Sequence, residues 1–107
     1  MKSLNIQNFD TTSVTSMQHM FQNCSSLTSI NLNQFVTDNV LQMNYMFNGC
    51  TSLTELNLYS FNTLNCYDFS SMWTGIREIK LILKNSTTYN LIEKLPSDIK
   101  FDLDLRN

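Results

Sequence analysis

A repeat of 26 residues constrains the fold of this chain more than any other feature of its sequence. Residues 4–29 and residues 30–55 share 11 identities over 26 aligned positions. A third copy, residues 56–81, realigns after a gap of three residues that places Ile79 in the column of Leu56. Repeats of this length predict structural units that stack side by side and bury one continuous core. The identical positions are Asn5/Asn31, Phe9/Phe35, Thr11/Thr37, Val14/Val40, Met17/Met43, Met20/Met46, Phe21/Phe47, Cys24/Cys50, Ser26/Ser52, Leu27/Leu53 and Thr28/Thr54.

Each copy contains two hydrophobic patterns. Residues 30–32 and 56–58 alternate apolar and polar side chains, as short half-buried strands do. Residues 14–24 and 40–50 instead carry apolar side chains at the spacing of one face of a helix or helical turn. A single unit cannot bury both faces. We therefore predict an α/β, leucine-rich-repeat-like solenoid of about three strand–helix repeats (4–29, 30–55 and 56–81) around a parallel sheet.

The composition changes near the end of the chain. Only five of the 16 charged residues lie within residues 1–76, and the other eleven lie within residues 77–107. Residues 88–95 have the spacing of an amphipathic helix that ends at Pro96, and residues 99–105 alternate like a strand. We interpret residues 82–107 as a capping repeat with a charged exterior, so that residues 1–107 form a single repeat domain.

The other end of the predicted solenoid has no equivalent cap, because the first recognisable strand begins at Leu4. Three interpretations remain open. The chain is a fragment of a longer array, it self-associates through the uncapped N-terminal edge, or it is a compact monomer that tolerates the bare edge. The chain contains no run of 18 apolar residues, and its first five residues lack the apolar segment of a signal peptide.

Residues 8–29 closely resemble the BspA-like leucine-rich repeat, in its 26-residue variant. The most specific part is the run Met-Phe-Asn-Gly-Cys-Thr-Ser-Leu-Thr at residues 46–54. The resemblance extends over residues 4–81 and weakens in the third copy, where Cys66, Phe69 and Trp73 depart from the pattern. It implies a bacterial surface protein or lipoprotein, located at the cell surface or secreted, and associated with adhesion to host proteins and cells.

No group of residues predicts catalysis or metal binding. Cys24, Cys50 and Cys66 fall in inward columns, which favours buried free thiols over a Cys24–Cys50 disulfide, and close Cys pairs suited to zinc are absent from the sequence. His19 is predicted at an outward position with no catalytic partner nearby. The methionine columns are assigned to the core. We therefore expect no enzyme, no cofactor and no metal, and the formal net charge of -2 gives no basic patch for nucleic acid.

The outward side of the predicted strands is the candidate binding surface, because alternate strand residues point away from the core. Asparagine recurs along this side, and two interpretations remain open: the asparagine side chains hydrogen-bond to one another and are structural, or they form a recognition surface. The expected function is a protein-binding module of a surface adhesin that recognises host or matrix proteins; a spacer or self-assembling unit is the alternative. The candidate residues, which we call the strand face, are Asn5, Gln7, Ser29, Asn31, Asn33, Glu55, Asn57, Tyr59, Glu78, Lys80 and Ile82.

Overall fold

The computed structural model describes residues 3–4 and 9–107. It is a small mixed α/β structure with parallel strands and one helix among these residues. The elements in chain order are β1 (Ser3–Leu4), β2 (Ser29–Ile30), β3 (Glu55–Leu58), β4 (Glu78–Lys84), α1 (Asn85–Glu93) and β5 (Lys100–Arg106).

The strands form two parallel sheets in the described residues, whereas the sequence predicted one. β1 pairs with β2, and β3, β4 and β5 form a three-stranded sheet in that order. The chain segments that follow β2 and β3 are connected by a side chain: the hydroxyl of Ser60 donates a hydrogen bond to the carbonyl of Leu32 at 3.0 Å.

The register between β3 and β4 also differs from the sequence alignment. Leu81, and not Ile79, pairs with Leu56. The slip is two residues, which keeps the same side chains inward because strand side chains alternate with a period of two. Ile79 and Leu81 are accordingly both buried.

The helices predicted for residues 14–24 and 40–50 are wrong. These segments consist of consecutive turns, closed by hydrogen bonds such as Met20 N–H to the Met17 carbonyl (3.3 Å). A helix requires negative φ throughout. His19, Tyr45 and Ser71, which occupy the same position in successive repeats, instead have φ of 64°, 62° and 55°, and a second repeat position also has positive φ. The residues at this second position are Asn23, Gly49 and Gly75, with φ of 63°, 79° and 95°.

We call residues 16–24, 42–50 and 68–76 the first, second and third turn arms. Adjacent arms are joined by backbone hydrogen bonds, in which alternate N–H groups of one arm donate to alternate carbonyls of the next. The N–H of Phe21 donates to Met46, and that of Phe47 donates to Met72, at 2.9 and 3.0 Å. The arms thus form a ladder opposite the strands.

The core lies between the strands and the turn arms. Phe21, Phe47 and Trp73 stack in one row, with ring centroids 5.7 and 5.4 Å apart, and Phe35 stacks on Phe61 in a second row. Edge-on packing of Phe101 against Trp73 connects β5 to the first row. Met17, Met43, Met46 and Met72 are buried, and Met20 is half-buried and packs against them, which confirms the assignment of these columns to the core.

Candidate functional site

The strand face is well defined on the three-stranded sheet. Glu55 lies beside Lys80, which lies beside Asp102; in the next outward row Asn57, Ile82 and Asp104 are neighbours. A third row joins Lys84 to Arg106, and Glu78 pairs with Lys100 at the other end. This surface therefore carries four acidic and four basic side chains: opposite charges are neighbours at Glu78–Lys100 and along Glu55–Lys80–Asp102, whereas Lys84 and Arg106 form a basic pair at one end.

Three ion pairs hold charged side chains of this surface together. Lys80 Nζ lies 3.8 Å from Glu55 Oε1, and Lys100 Nζ lies 3.5 Å from Glu78 Oε1. The guanidinium of Arg106 donates to Asp104 at 2.8 Å, and this hydrogen bond lowers the pKa of the Asp104 carboxyl group. All three pairs are solvent-exposed, so they contribute little to stability and their charges remain accessible to a partner.

Tyr59 projects from the end of β3 and is fixed from two sides. Its hydroxyl donates a hydrogen bond to the backbone carbonyl of Asn107 at 2.6 Å, and Lys84 Nζ lies 5.8 Å from the ring centroid. The side chain is nevertheless 39% exposed. A restrained and accessible tyrosine suits an interface anchor, since it loses little conformational freedom on binding. It borders a cavity of about 460 Å³ lined by Asn33, Asn57, Tyr59, Ser60, Arg106 and Asn107.

The asparagines of the strand face stabilise local turns. Asn31 Oδ1 accepts the N–H of Asn33, and Asn57 Oδ1 accepts the N–H of Tyr59, both at 3.0 Å. Each is half-buried. These bonds run two residues along the same chain and do not link one asparagine to the next, so Asn31 and Asn57 have a structural role at the ends of their strands.

The remaining predicted residues are distributed as follows. Ser29, Asn33, Glu55, Tyr59 and Glu78 are exposed, whereas Lys80 and Ile82 are half-buried. Asn5 and Gln7 lie outside the described residues.

Sequence reasoning predicted Glu78 and Lys80 of β4, but it missed Lys84 at the end of β4 and the charged side chains that β5 adds to the face. The strict alternation of residues 99–105 indicated that Asp102 and Asp104 share one side, but it did not show that this side continues the outward rows of β3 and β4. Lys84 was assigned to the cap, because nothing in the sequence showed that β4 is seven residues long.

The residues considered for chemistry occupy structural environments. Cys50 and Cys66 are buried, as predicted, while Cys24 is only half-buried. Burial raises the pKa of the Cys50 thiol to about 11, and also raises that of Cys66. His19 is exposed and stacks on Tyr45, with ring centroids 4.8 Å apart.

Within residues 3–4 and 9–107, no three His, Cys, Asp or Glu side chains come together as ligands for a metal ion. The same residues include no helix with the length and apolar character of a membrane span.

The sequence matches a known protein family over most of its length. The family described as "Mycoplasma protein of unknown function, DUF285" matches residues 1–95. The chain belongs to this family. No curated protein and no solved structure matches the sequence significantly. For this member of the DUF285 family, the function must therefore be inferred from its own surface.

Proposed function

We propose that this DUF285 chain is a short solenoid of the BspA-like leucine-rich-repeat type, and that it binds a protein partner through the strand face. The repeated sequence, the parallel strands and the ladder of turn arms support the architecture. In this reading the chain is a segment of a surface adhesin, and the partner is a host surface or matrix protein.

The observation that carries the binding proposal is the setting of Tyr59. An exposed aromatic ring held by a hydrogen bond lies next to a cavity and to Arg106, and tyrosine and arginine are the side chains enriched at the energetic centres of protein interfaces. Half-buried Ile82 adds an apolar contact within the charged rows. The balanced charges favour a partner with complementary charges of both signs over a nucleic acid.

A capture experiment tests the proposal. The chain and a Tyr59→Ala, Ile82→Lys double variant are immobilised and exposed to host-cell surface and extracellular-matrix extracts. Tyr89→Ala is the matched control, because Tyr89 is also exposed but lies on α1, away from the strand face. Circular dichroism establishes that all three proteins are folded. We expect a partner that the unmodified chain and Tyr89→Ala retain and the double variant loses.

Equal capture by the double variant would place binding elsewhere. Capture of nothing by any of the three would favour the alternative function, a spacer or self-assembling unit. That alternative has its own support at the N-terminal edge. Within the described part of the chain, the carbonyls of Ser16, Gln18, Met20 and Gln22 have no hydrogen-bond donor.

A further inference from the structure

The third turn arm ends the ladder of turn arms with unused hydrogen-bond donors. In the first arm, the N–H groups of residues 17, 19, 21 and 23 donate to the second arm, and residues 43, 45, 47 and 49 of the second arm donate to the third. The equivalent donors in the third arm are Phe69, Ser71, Trp73 and Gly75. Among the residues that the structure describes, none of these four N–H groups has an acceptor.

These donors lie beside a groove, which the cap leaves open. After β3 the cap continues the sheet with β4 and β5, but it supplies no fourth turn arm. The resulting cavity of about 940 Å³ is lined by residues 66–77 and, from the cap, by Asn90, Glu93, Lys94, Pro96, Asp98 and Ile99. The groove is thus lined both by the third turn arm, which carries the unused donors, and by residues of the cap.

The two internal junctions between turn arms show which groups accept hydrogen bonds from such a row of N–H donors. At each of the two internal junctions, the acceptors are four carbonyls at alternate residues of a neighbouring segment, and the bonds are 2.7–3.1 Å long. At each junction one further bond runs the opposite way: the N–H of Leu41 donates to the carbonyl of Thr15, and the N–H of Tyr67 donates to the carbonyl of Leu41. The existing arms pair in parallel, at Ser16–Gln42 and Gln42–Asp68. An occupant that repeats this pairing would run parallel to the third arm and donate to the carbonyl of Tyr67, which has no donor among the described residues.

We infer that this groove binds a peptide segment of a partner protein through the segment's backbone, as an added fourth turn arm. The segment presents carbonyls at alternate residues. It carries residues such as Asn or Gly at two positions four residues apart, because the turn-arm backbone needs positive φ there. This site is separate from the strand face and does not depend on it. Addition of a segment to an exposed backbone edge is an established mode of peptide recognition.

Two other occupants fit less well. An anion needs donors that converge on one point, whereas these donors are spaced along seven residues and, in the equivalent arms, each serves a different carbonyl. A second intact copy could not place its first turn arm in the groove without placing its first strand next to β3, because each turn arm is connected to the strand of its own repeat. That position is already occupied by β4, which is followed by β5.

A synthetic peptide with the sequence of residues 40–50, carrying Cys50→Ser to prevent oxidation, is the probe. This segment already fills the equivalent donor row of the first arm. The ¹⁵N-labelled full chain is titrated with the peptide, and amide shifts are followed by NMR. We expect saturable downfield amide-proton shifts of Phe69, Ser71, Trp73 and Gly75, as hydrogen bonds form.

Two matched controls make the result specific. A control peptide with Pro in place of Tyr45 and Gly49 keeps the alternate carbonyls but cannot adopt positive φ, so it should give no shifts. In the protein, Lys94→Trp fills the groove and should abolish the shifts, whereas Lys100→Trp, at an exposed position that does not line the groove, should leave them unchanged.

Three outcomes would overturn the inference. The first is the absence of shifts at these four amides with millimolar peptide. The second is an equal response to the proline peptide. The third is concentration-dependent association of the free chain that protects the four amides from hydrogen exchange, which would make a second copy the occupant.

Discussion

The hydroxyl group of Thr37 exchanges two hydrogen bonds with the backbone of Asn62. It accepts the N–H and donates to the carbonyl of the same residue, both at 2.8 Å. Thr11 makes the same pair of bonds with Val36, at 2.8 and 3.1 Å. Both threonines are buried. A column of threonines thus joins each sequence copy to the next by satisfying backbone groups that have no strand partner.

Replacement of Thr37 by valine should lower the free energy of unfolding by about 2 kcal/mol, because the shape is kept while a donor and an acceptor of Asn62 lose their partner. Urea denaturation measures the difference. Thr15→Val, a change at an exposed position, is the matched control and should shift stability by less than about 0.5 kcal/mol. Equal effects of the two substitutions would show that the column is not a structural connection.

The sequence predicted the strands because their alternation has a single structural meaning, and Leu32, Leu56 and Leu58 are buried as expected. It did not predict the turn arms correctly. Consecutive turns bury apolar residues at helical spacing as well as a helix does. Backbone conformation, and above all the positions with positive φ, distinguishes the two structures. Gly49 and Gly75 occur at one column with positive φ, but His19 and Tyr45 occupy the other, where no glycine marks it.

The candidate site was only partly predictable for a different reason. Alternation indicates which side chains point outward, but it does not determine register, and a slip of two residues placed Lys80 beside Glu55. Long-range contacts such as that of Tyr59 with Asn107, 48 residues away in sequence, leave no local pattern.

Replacement of Gly49 by alanine should destabilise the protein more than the same change at Gly75. Both glycines have positive φ, which costs an L-residue roughly 1–2 kcal/mol. Only at Gly49 would the added Cβ also meet neighbouring backbone closely, 3.2 Å from Asn23 Cα, whereas at Gly75 the nearest atom lies at 3.5 Å. Thermal unfolding of both variants measures the difference. A larger loss at Gly75 would contradict the packing of the second arm on the first.

The buried thiol of Cys50 should make stability fall at alkaline pH. Desolvation raises its pKa from 9.0 to about 11 in the folded protein, with a smaller contribution from Cys24. The folded state therefore holds the proton more tightly than the unfolded state. The resulting stabilisation is complete below about pH 9 and is lost as the pH rises through 11.

Urea denaturation of the unmodified chain and of Cys50→Ala, at intervals between pH 8 and 11, isolates this effect, because tyrosine and lysine residues titrate in both proteins. As the pH rises, we expect the free energy of unfolding of the unmodified chain to fall by more than that of Cys50→Ala. A difference that stays constant over this range would show that the thiol is not desolvated.

The ion pair between Glu55 and Lys80 should be dispensable for folding, which would leave the strand face free to serve recognition. The side chains are 56% and 44% exposed and 3.8 Å apart, and exposed pairs of this kind contribute about 0–1 kcal/mol. Glu55→Gln should therefore change the free energy of unfolding by less than about 0.5 kcal/mol at 0.15 M salt, and by less still at 1 M. Urea denaturation at the two salt concentrations tests both statements. A loss above about 1.5 kcal/mol would exceed the range for exposed pairs and assign Glu55 a structural role. A small loss, combined with weaker partner capture by the same variant, would separate recognition from stability at this residue.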